Sequence, residues 1–220
     1  MTPWQGQPFV ALIGPGRASR NLAPTEIMGC VSELVRRGVT EAVTPALSPH
    51  EAEPFFRAGF RLHEQLHLLA RQINQRPPAV SHPLRRGRPW DRRRVLGLDN
   101  AAFEQFWQFD SFSLKEARRA TPTNRFMVAT EPARVSGYAV TGRAGGRGYL
   151  QRIAVDPAAQ GQGIGGALVN DALHWLHRKG VGLALVNTQE RNVRALSLYE
   201  RLGFVRQREG LLVLRWNSTV

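Results

Sequence analysis

The chain has 220 residues, of which 42% are hydrophobic and 21% charged, and its formal net charge is +13. This composition is typical of a folded globular protein and excludes general disorder. The length allows one full domain with a smaller partner, and the apolar runs are far shorter than the roughly 20 residues that a membrane helix needs. No basic cluster precedes an apolar core near the N-terminus, so we expect no signal peptide. The single cysteine, Cys30, favours a reducing cytoplasm.

Residues 1–75 are similar to the C-terminal part of the chain at two points. Residues 34–39 align with 176–181, and residues 53–60 align with 197–204. Each segment is typical of the end of a helix that is followed by glycine and a hydrophobic residue. We therefore predict that 1–75 is a degenerate half-copy of the C-terminal domain. Chance similarity between two helix ends is the alternative.

A histidine motif of the H-E-x-x-H type lies at His63, Glu64 and His67. On a helix the two histidines would share a face and could bind zinc, with Glu64 activating water, as in a zinc-dependent hydrolase. The alignment with the C-terminal part instead predicts a strand, in which about four residues of ~3.3 Å rise separate the imidazoles. No third ligand follows before His82, so we expect a chance match. A helix over 60–73 would favour the zinc hydrolase.

Residues 76–92 form a predicted linker rich in proline and arginine. Its four prolines disfavour helix and central strand alike. Residues 76–94 carry seven basic and one acidic side chain, about half of the net charge. Six arginines flank Trp90: Arg85, Arg86, Arg88, Arg92, Arg93 and Arg94. We expect a solvated linker, with weak association with a nucleic acid or the ribosome as the alternative.

The C-terminal region, 93–220, alternates between strand and helix signals. In chain order we predict a strand at 93–98, a helix capped by Asp99 or Asn100 that carries Phe103, Phe106 and Trp107, and a second helix from Ser113. A hairpin of strands at 125–130 and 134–141 follows, then a glycine-rich turn at 142–148 and a strand at 149–155. An amphipathic helix at 165–179, a strand at 181–186, a helix at 193–202 and a strand at 210–216 complete the order. This order predicts an α/β fold with a mixed sheet and helices on both faces.

A glycine-rich segment lies between the strand at 149–155 and the helix at 165–179, and consists of Gln160, Gly161, Gln162, Gly163, Ile164, Gly165 and Gly166. Glycines let main-chain N–H groups turn toward a ligand, and the start of a helix favours negative charge, so the segment suits a phosphate. It also contains the G-x-G-x-x-G of dinucleotide-binding folds. That motif needs its first glycine directly after the strand, whereas five residues intervene here. A dinucleotide site is therefore disfavoured, as is a merely structural turn.

Two linked motifs decide the interpretation. Tyr149 to Pro157, followed by Gln160-x-x-Gly163-x-Gly165, resembles motif A of the GNAT acetyltransferases. A second set of residues, at the spacing expected in the family, resembles motif B: Asn187, Asn192, Ala195, Leu198, Tyr199, Gly203 and Phe204. The resemblance covers about 93–216. It implies the GNAT fold, whose mixed sheet is mostly antiparallel.

The resemblance implies transfer of an acetyl group from acetyl-CoA to a primary amine, without a metal. In the family, the strand at 149–155 bulges and splays from the next, which opens a slot for the pantetheine arm. The match implies that Tyr199 is the general acid for the leaving thiolate. It implies that acetyl-CoA binds to Ile153, Ala154, Val155, Gln160, Gly161, Gln162, Gly163, Ile164, Gly165, Gly166, Asn187, Asn192, Ala195 and Tyr199.

The general base is left open. Gln151 and Arg152 occupy the region where many relatives place a glutamate. Glu190, Glu104, Asp110 or ordered water are the alternatives.

The predicted acceptor is, first, a peptide or protein N-terminus and, second, a small-molecule amine. An α-amine, with a pKa near 7.7–8.0, needs a weaker base than a lysine amine near 10.4. Residues 1–75 resemble the first half of tandem family members, but Phe55 stands where Tyr199 is expected, so this half should neither bind acetyl-CoA nor react. A homodimer is compatible with the sequence, and a membrane partner is not expected. A non-catalytic RNA-binding module is the remaining alternative.

Overall fold

The computed structural model describes residues 3–4, 7–14, 22–131 and 134–218. The strands are β1 Pro3–Trp4, β2 Gln7–Leu12, β3 Glu41–Val43, β4 Arg61–Gln72, β5 Leu84–Arg86, β6 Thr123–Glu131, β7 Arg134–Ala144, β8 Arg147–Val155, β9 Leu183–Gln189, β10 Val205–Arg206 and β11 Leu211–Asn217. The helices are α1 Pro24–Arg36, α2 Pro49–Arg57, α3 Arg92–Ala102, α4 Ser111–Arg119, α5 Ile164–Arg178 and α6 Val193–Arg201. Short 3₁₀ turns lie at Pro89–Asp91, Gln105–Trp107 and Pro157–Ala159. Within the described ranges, every helix is too short or too polar to cross a lipid bilayer.

The chain divides into two compact units. The first contains Met1–Leu68, Asn187–Val193 and Arg206–Val220, and the second contains Leu69–Val186 and Arg194–Val205. The division falls inside β4 and β9, so each of these strands contributes residues to both units. The domain boundaries at 1–75, 76–92 and 93–220 stay a prediction from the sequence.

The first unit has a sheet with two helices. β2 pairs with β1 in antiparallel and with β3 in parallel orientation, and β11 pairs antiparallel with both β3 and β4. Residues of α1 and α2 join strand residues in one apolar cluster, whose members include Ile27, Val31, Ala42, Phe55 and Leu214. Each helix begins with a proline in its first turn, and Ser48 caps α2 by accepting from the main-chain N–H of Glu51.

The second unit has a mixed sheet with helices on both faces. β5, β6, β7 and β8 are antiparallel neighbours, and β9 joins β8 in parallel orientation. Successive residues of β7 point to opposite faces of this sheet, because side chains alternate along a strand. Tyr138 packs in a cluster with Leu98 of α3 and Leu114 of α4. Ala139 packs with Ile164 and Leu168 of α5. The predicted fold class, with a mixed, mostly antiparallel sheet, is confirmed.

The structure of residues 93–107 differs from the prediction. The segment expected to be a strand at 93–98 is part of α3, and Asp99 lies near the end of that helix instead of capping a new one. Val95, Leu98 and Ala102 fall on one helical face at spacings of three and four, which a short apolar run does not distinguish from a strand. Phe103 ends α3, and only a short 3₁₀ turn over Gln105–Trp107 stands where the next helix was predicted.

The remaining predicted elements are confirmed within a few residues. α4 begins at Ser111, capped by Asp110, and the predicted hairpin is formed by β6 and β7; its turn, at Pro132 and Ala133, lies outside the described residues. The glycine-rich turn is shorter than predicted, because β7 runs to Ala144. β8, α5, β9, α6 and β11 follow in the predicted order, and the two-residue strand β10 was not predicted.

The aligned helix ends at 53–60 and 197–204 have the same local geometry. Gly59 has φ 85° and Gly203 has φ 77°, and each follows the last turn of a helix. The next residue, Phe60 or Phe204, donates its main-chain N–H at 3.0 Å to the carbonyl five residues earlier, that of Phe55 or Tyr199. Both are Schellman-type endings, which satisfy carbonyl groups that the helix leaves unpaired. The internal similarity in sequence therefore corresponds to a repeated structure at these points.

Candidate active site

Strand β8 carries a β-bulge at Gln151. Its register with β7 passes from Arg152 directly to Leu150, so Gln151 has no partner across that ladder. On the other side, β8 pairs with β9 only from Arg147 to Tyr149. Beyond this point, residues 150–155 offer a strand edge to which an extended amide chain can add. The bulge expected from the resemblance is confirmed.

The glycine loop after β8 adopts a conformation that favours glycine. Gly161 has φ 83° and Gly163 has φ 85°, in the left-handed region that costs other residues roughly 1–2 kcal/mol each. Gly163 is the N-cap of α5. Within the described residues, no main-chain carbonyl accepts from the N–H groups of Gly161 to Gly166. These donors, at the positive end of a 15-residue helix, suit a phosphate group.

Side chains from two other segments hold this loop. Nε2 of His82 lies 2.6 Å from the carbonyl oxygen of Gln162. The amide of Gln160 donates to the carbonyl of Val155 at 3.3 Å, and the guanidinium of Arg194 donates to the Gln160 side-chain oxygen. Arg194 therefore brings a cation to the loop, which further favours an anionic ligand.

Tyr199 on α6 is buried, with 7% of its surface exposed. Its ring packs edge-on against Phe204, with 5.7 Å between the ring centroids. Burial raises the pKa of Tyr199 to about 12, and the positive charge of Arg152 opposes this rise. The hydroxyl group therefore keeps its proton at neutral pH, as a proton donor must.

Beside the bulge, a buried ion pair joins β8 to α3. Asp99 is 0% exposed, and its carboxylate oxygens accept from Nε and Nη2 of Arg152, each at 2.8 Å. The same carboxylate accepts from the hydroxyl of Tyr138 and, at 2.7 Å, from the main-chain N–H of Phe109. Desolvation and the charge of Asp99 raise the pKa of Tyr138 well above its ordinary value. Sequence reasoning missed this pair, because its partners are far apart in the chain and Asp99 was interpreted as a helix cap.

The geometry does not identify any of the three candidate carboxylates as the general base. Asp110 accepts from the main-chain N–H of Ser113 at 2.7 Å and so caps α4. Glu104 is exposed and lies before the 3₁₀ turn. Glu190 is exposed in the first unit. The base therefore stays unassigned.

The predicted site residues are divided between the two units. The second unit contains β8, the glycine loop, and Ala195 and Tyr199 of α6. Asn187 and Asn192 belong to the first unit. Asn187 is exposed on β9, and the main-chain N–H of Asn192 donates to the carbonyl of Gln189 at 3.0 Å, just before α6.

The family comparison agrees with this arrangement. The profile of the acetyltransferase (GNAT) family matches residues 92–204, a range that contains the bulged strand, the glycine loop and Tyr199. The chain belongs to the GNAT acetyltransferase family. The predicted family is thus confirmed.

Individual GNAT proteins are similar over different parts of the chain. A mycothiol acetyltransferase from Rhodococcus erythropolis is 32% identical over 144 residues, which are 59% of this chain and 48% of the relative. A tandem GNAT protein from the clavulanic acid biosynthesis pathway has a TM-score of 0.68 at 14% identity, covering 94% of this chain and 73% of that one. The ribosomal-protein-S18-alanine N-acetyltransferase from Escherichia coli has a TM-score of 0.52 at 20% identity, covering 63% of this chain and 94% of that one.

These likenesses differ in what they indicate. Both structural matches show the fold alone. The chain spans about half the length of the curated relatives that it matches.

The H-E-x-x-H segment of this GNAT protein lies on a strand, as predicted. His63, Glu64 and His67 are part of β4. The carboxylate of Glu64 accepts from the amide of Gln189 at 3.0 Å and from Arg191 at 3.3 Å. Burial, with the nearby charge of Arg215, lowers the pKa of His63. Within the described residues, no group of three or more His, Cys, Asp or Glu side chains could hold a metal ion, and the zinc-hydrolase alternative gains no support.

Part of the arginine-rich segment is engaged in local contacts. Arg85 donates to both carboxylate oxygens of Asp91, at 2.6 and 2.7 Å, and thereby lowers the pKa of Asp91. The guanidinium of Arg88 lies 5.1 Å from the centroid of the Trp90 ring, which is 68% exposed. In this segment Arg85 therefore has a structural contact, while the exposed arginines beside Trp90 form a positively charged surface.

Proposed function

We propose that the protein is an acetyl-CoA-dependent N-acetyltransferase whose acceptor is a primary amine. One observation carries this proposal: a bulged strand with one open edge is followed, after a short loop, by a helix N-terminus whose first N–H groups donate to no main-chain carbonyl of the described residues. An elongated molecule with amide groups at one end and a diphosphate at the other fits this sequence of features. Acetyl-CoA has this chemistry, and membership of the GNAT family supports the assignment.

The residues divide into three roles toward acetyl-CoA. The main-chain N–H groups of the loop would hold the diphosphate, from Gln160, Gly161, Gln162, Gly163, Ile164, Gly165 and Gly166. The edge of β8 at Ile153, Ala154 and Val155 would pair with the pantetheine arm and direct an N–H group toward the thioester oxygen. Asn187, Asn192 and Ala195 are proposed to complete the site, as the family motif implies.

The reaction needs a proton donor at the leaving sulfur. The amine nitrogen bonds to the acetyl carbon, the C–S bond breaks, and the sulfur leaves with the electron pair. We assign its proton to the hydroxyl group of Tyr199. A tyrosine hydroxyl is protonated at neutral pH at its ordinary pKa of about 10, and burial, which raises the pKa of Tyr199 to about 12, favours the neutral form further. The nitrogen loses a proton to water or to a carboxylate that the acceptor complex brings near.

For the acceptor, a small-molecule amine is our first choice. The curated relatives that match the chain are named mycothiol acetyltransferases, whereas the likeness to the Escherichia coli N-terminal acetyltransferase concerns the fold alone. A peptide N-terminus is the second candidate. A peptide N-terminus offers an α-amine, which ionises nearer to neutral pH than a lysine side chain.

Acetyl-CoA consumption measured across amines and peptide N-termini tests this proposal. We expect saturable turnover with at least one amine, and a calorimetric titration that saturates with acetyl-CoA. A protein that neither binds acetyl-CoA in calorimetry nor consumes it with any acceptor would contradict the proposed function.

Three further expectations concern partners and location. The exposed arginines around Trp90 are proposed to bind polyanions weakly. Such binding should decline by about tenfold or more between 50 and 200 mM salt if several phosphates are contacted, and retention that does not depend on salt would argue against it. A homodimer and a cytoplasmic location also stay predictions, which sedimentation and cell fractionation would test.

A further inference from the structure

The connection between α3 and α4, residues 103–110, is fastened to β8 by one side chain. The guanidinium carbon of Arg152 lies 3.5 Å from the ring centroid of Phe103 and 4.0 Å from that of Phe109. Nη2 of Arg152 also donates to the main-chain carbonyl of Trp107 at 2.6 Å. Arg152 thus contacts the beginning, the middle and the end of this connection.

The same connection covers the face of β8 opposite to α5. Ala154 packs in the cluster of α3 and α4 residues, whereas Ile153 packs in the cluster that contains Ile164 of α5. Arg152 lies on the α3 side, where it pairs with Asp99. The glycine loop, which would hold the diphosphate of acetyl-CoA, lies at the start of α5. The opposite face of β8, beside the α3–α4 connection, is therefore the side from which an acceptor amine would reach the thioester.

We propose that Arg152 is a positioning residue, which in its pair with Asp99 holds the α3–α4 connection in place as one wall of the acceptor site. This inference depends on the proposed acetyltransferase function. The pair acts on the position of the connection more than on stability, because a buried ion pair adds little net stability compared with apolar side chains of similar volume. A bidentate contact whose guanidinium stacks between two aromatic rings fixes both the orientation and the distance of the connection relative to β8.

A second ion pair in the same unit provides a matched control. Arg125 on β6 donates to both oxygens of Asp171 on α5, each at 2.8 Å. Both side chains are largely buried. This pair has the same bidentate chemistry as Arg152 and Asp99, but it lies on α5, away from the α3–α4 connection. Arg125→Lys therefore reports what the loss of such a pair does by itself.

The first experiment compares Arg152→Lys and Arg125→Lys by hydrogen exchange, which needs no substrate. Lysine keeps the positive charge but loses the bidentate contact and the flat stacking surface. We expect Arg152→Lys to lose main-chain protection at residues 103–110, whereas Arg125→Lys keeps it. Equal protection of this segment in wild type and Arg152→Lys would overturn the inference, whatever the activity of the protein.

The second experiment measures steady-state kinetics with the amine that the wild type accepts. We expect Arg152→Lys to raise the acceptor KM by about tenfold, with a smaller change in kcat and an acetyl-CoA Kd within about threefold of the wild-type value. Arg125→Lys should leave the acceptor KM unchanged. An equal rise in both variants would assign the effect to general loosening and overturn the positioning role. A wild-type protein without turnover would instead contradict the proposed function.

A milder variant covers the case in which Arg152→Lys does not fold. Phe109→Leu removes one stacking surface but keeps the main-chain N–H that donates to Asp99. We expect partial loss of protection at 103–110 and a smaller rise in the acceptor KM. Full protection with a wild-type KM would count against the inference.

Discussion

The side chain of Leu198 on α6 packs directly against Gly165 on α5, where an added Cβ atom would lie 3.1 Å from Leu198 Cδ2. Glycine at this position lets the helix that carries Tyr199 approach the start of α5 closely. This packing contact, together with the hydrogen bond from Arg194 to Gln160, couples the loop that suits phosphate to the helix of the proposed acid.

Enlarging Gly165 should disturb this contact. We expect Gly165→Val to lower the free energy of unfolding by about 1–3 kcal/mol, because overpacking displaces the two helices. At Gly166 an added Cβ would lie 3.9 Å from Leu198, in ordinary contact, so Gly166→Ala is the stability control. Urea denaturation of both variants checks this prediction. A Gly165→Val protein as stable as wild type would show that α6 adjusts without cost.

Removing the hydroxyl group of Tyr199 should affect turnover more than binding. We expect Tyr199→Phe to reduce kcat by more than about tenfold, within the range of general acid catalysis, because the leaving thiolate loses its proton donor. Calorimetry should give an acetyl-CoA Kd close to that of the wild type. Unchanged turnover would remove Tyr199 from the mechanism.

The conformation of Gly163 leads to a prediction about acetyl-CoA binding. The backbone of Gly163 has a left-handed φ of 85°, and a Cβ atom added to it would lie 3.3 Å from Nε2 of His82. We expect Gly163→Val to abolish the calorimetric signal with acetyl-CoA. Gly180, at the other end of α5, has φ 68° with no neighbour within 4 Å of an added Cβ. Gly180→Val carries similar backbone strain and should bind normally; binding retained by Gly163→Val would contradict the loop assignment.

The raised pKa of Tyr199 predicts how stability changes at high pH. Its pKa is about 12 in the folded protein and about 10 in an unfolded chain. The contribution is complete below pH 10 and is lost as the pH rises from 10 to 12, at about 1.4 kcal/mol per pH unit. Tyr199→Phe should therefore lose stability less steeply than wild type over this window in urea denaturation at graded pH. Tyr138, whose pKa is also raised, contributes to both proteins, so the difference isolates Tyr199. Parallel curves would refute the assignment.

Local sequence signals predicted most of the second unit. The helical spacing of Leu168, Ala172 and Trp175 identifies α5, and glycine marks its end, because both signals arise from neighbours along the chain. The strand error at 93–98 has the opposite cause. The apolar residues of this segment fit a helix and a strand alike, and its tertiary contacts, such as the pair between Asp99 and Arg152, which lie 53 positions apart, have no local signal.

The site was predicted unevenly for the same reason. The glycine loop was expected from the residues and the bulge in β8 from the resemblance to the GNAT family, and the structure contains the positive φ angles and the interrupted register. Neither the contact of His82 with Gln162 nor the stacking of Arg152 between Phe103 and Phe109 has a local signature. Such contacts depend on which strands and connections become neighbours.

The repeated helix endings surround two aromatic side chains, Phe55 and Tyr199, that differ by one hydroxyl group. Phe55 stands where Tyr199 does in the repeat, is 1% exposed, and packs edge-on against Phe60 within an apolar cluster. A tyrosine there would bury an oxygen among hydrocarbon groups, at a cost of about 1–3 kcal/mol if the oxygen found no partner. A Phe55→Tyr change would therefore destabilise the first unit, and the matching helix endings do not make the two positions interchangeable.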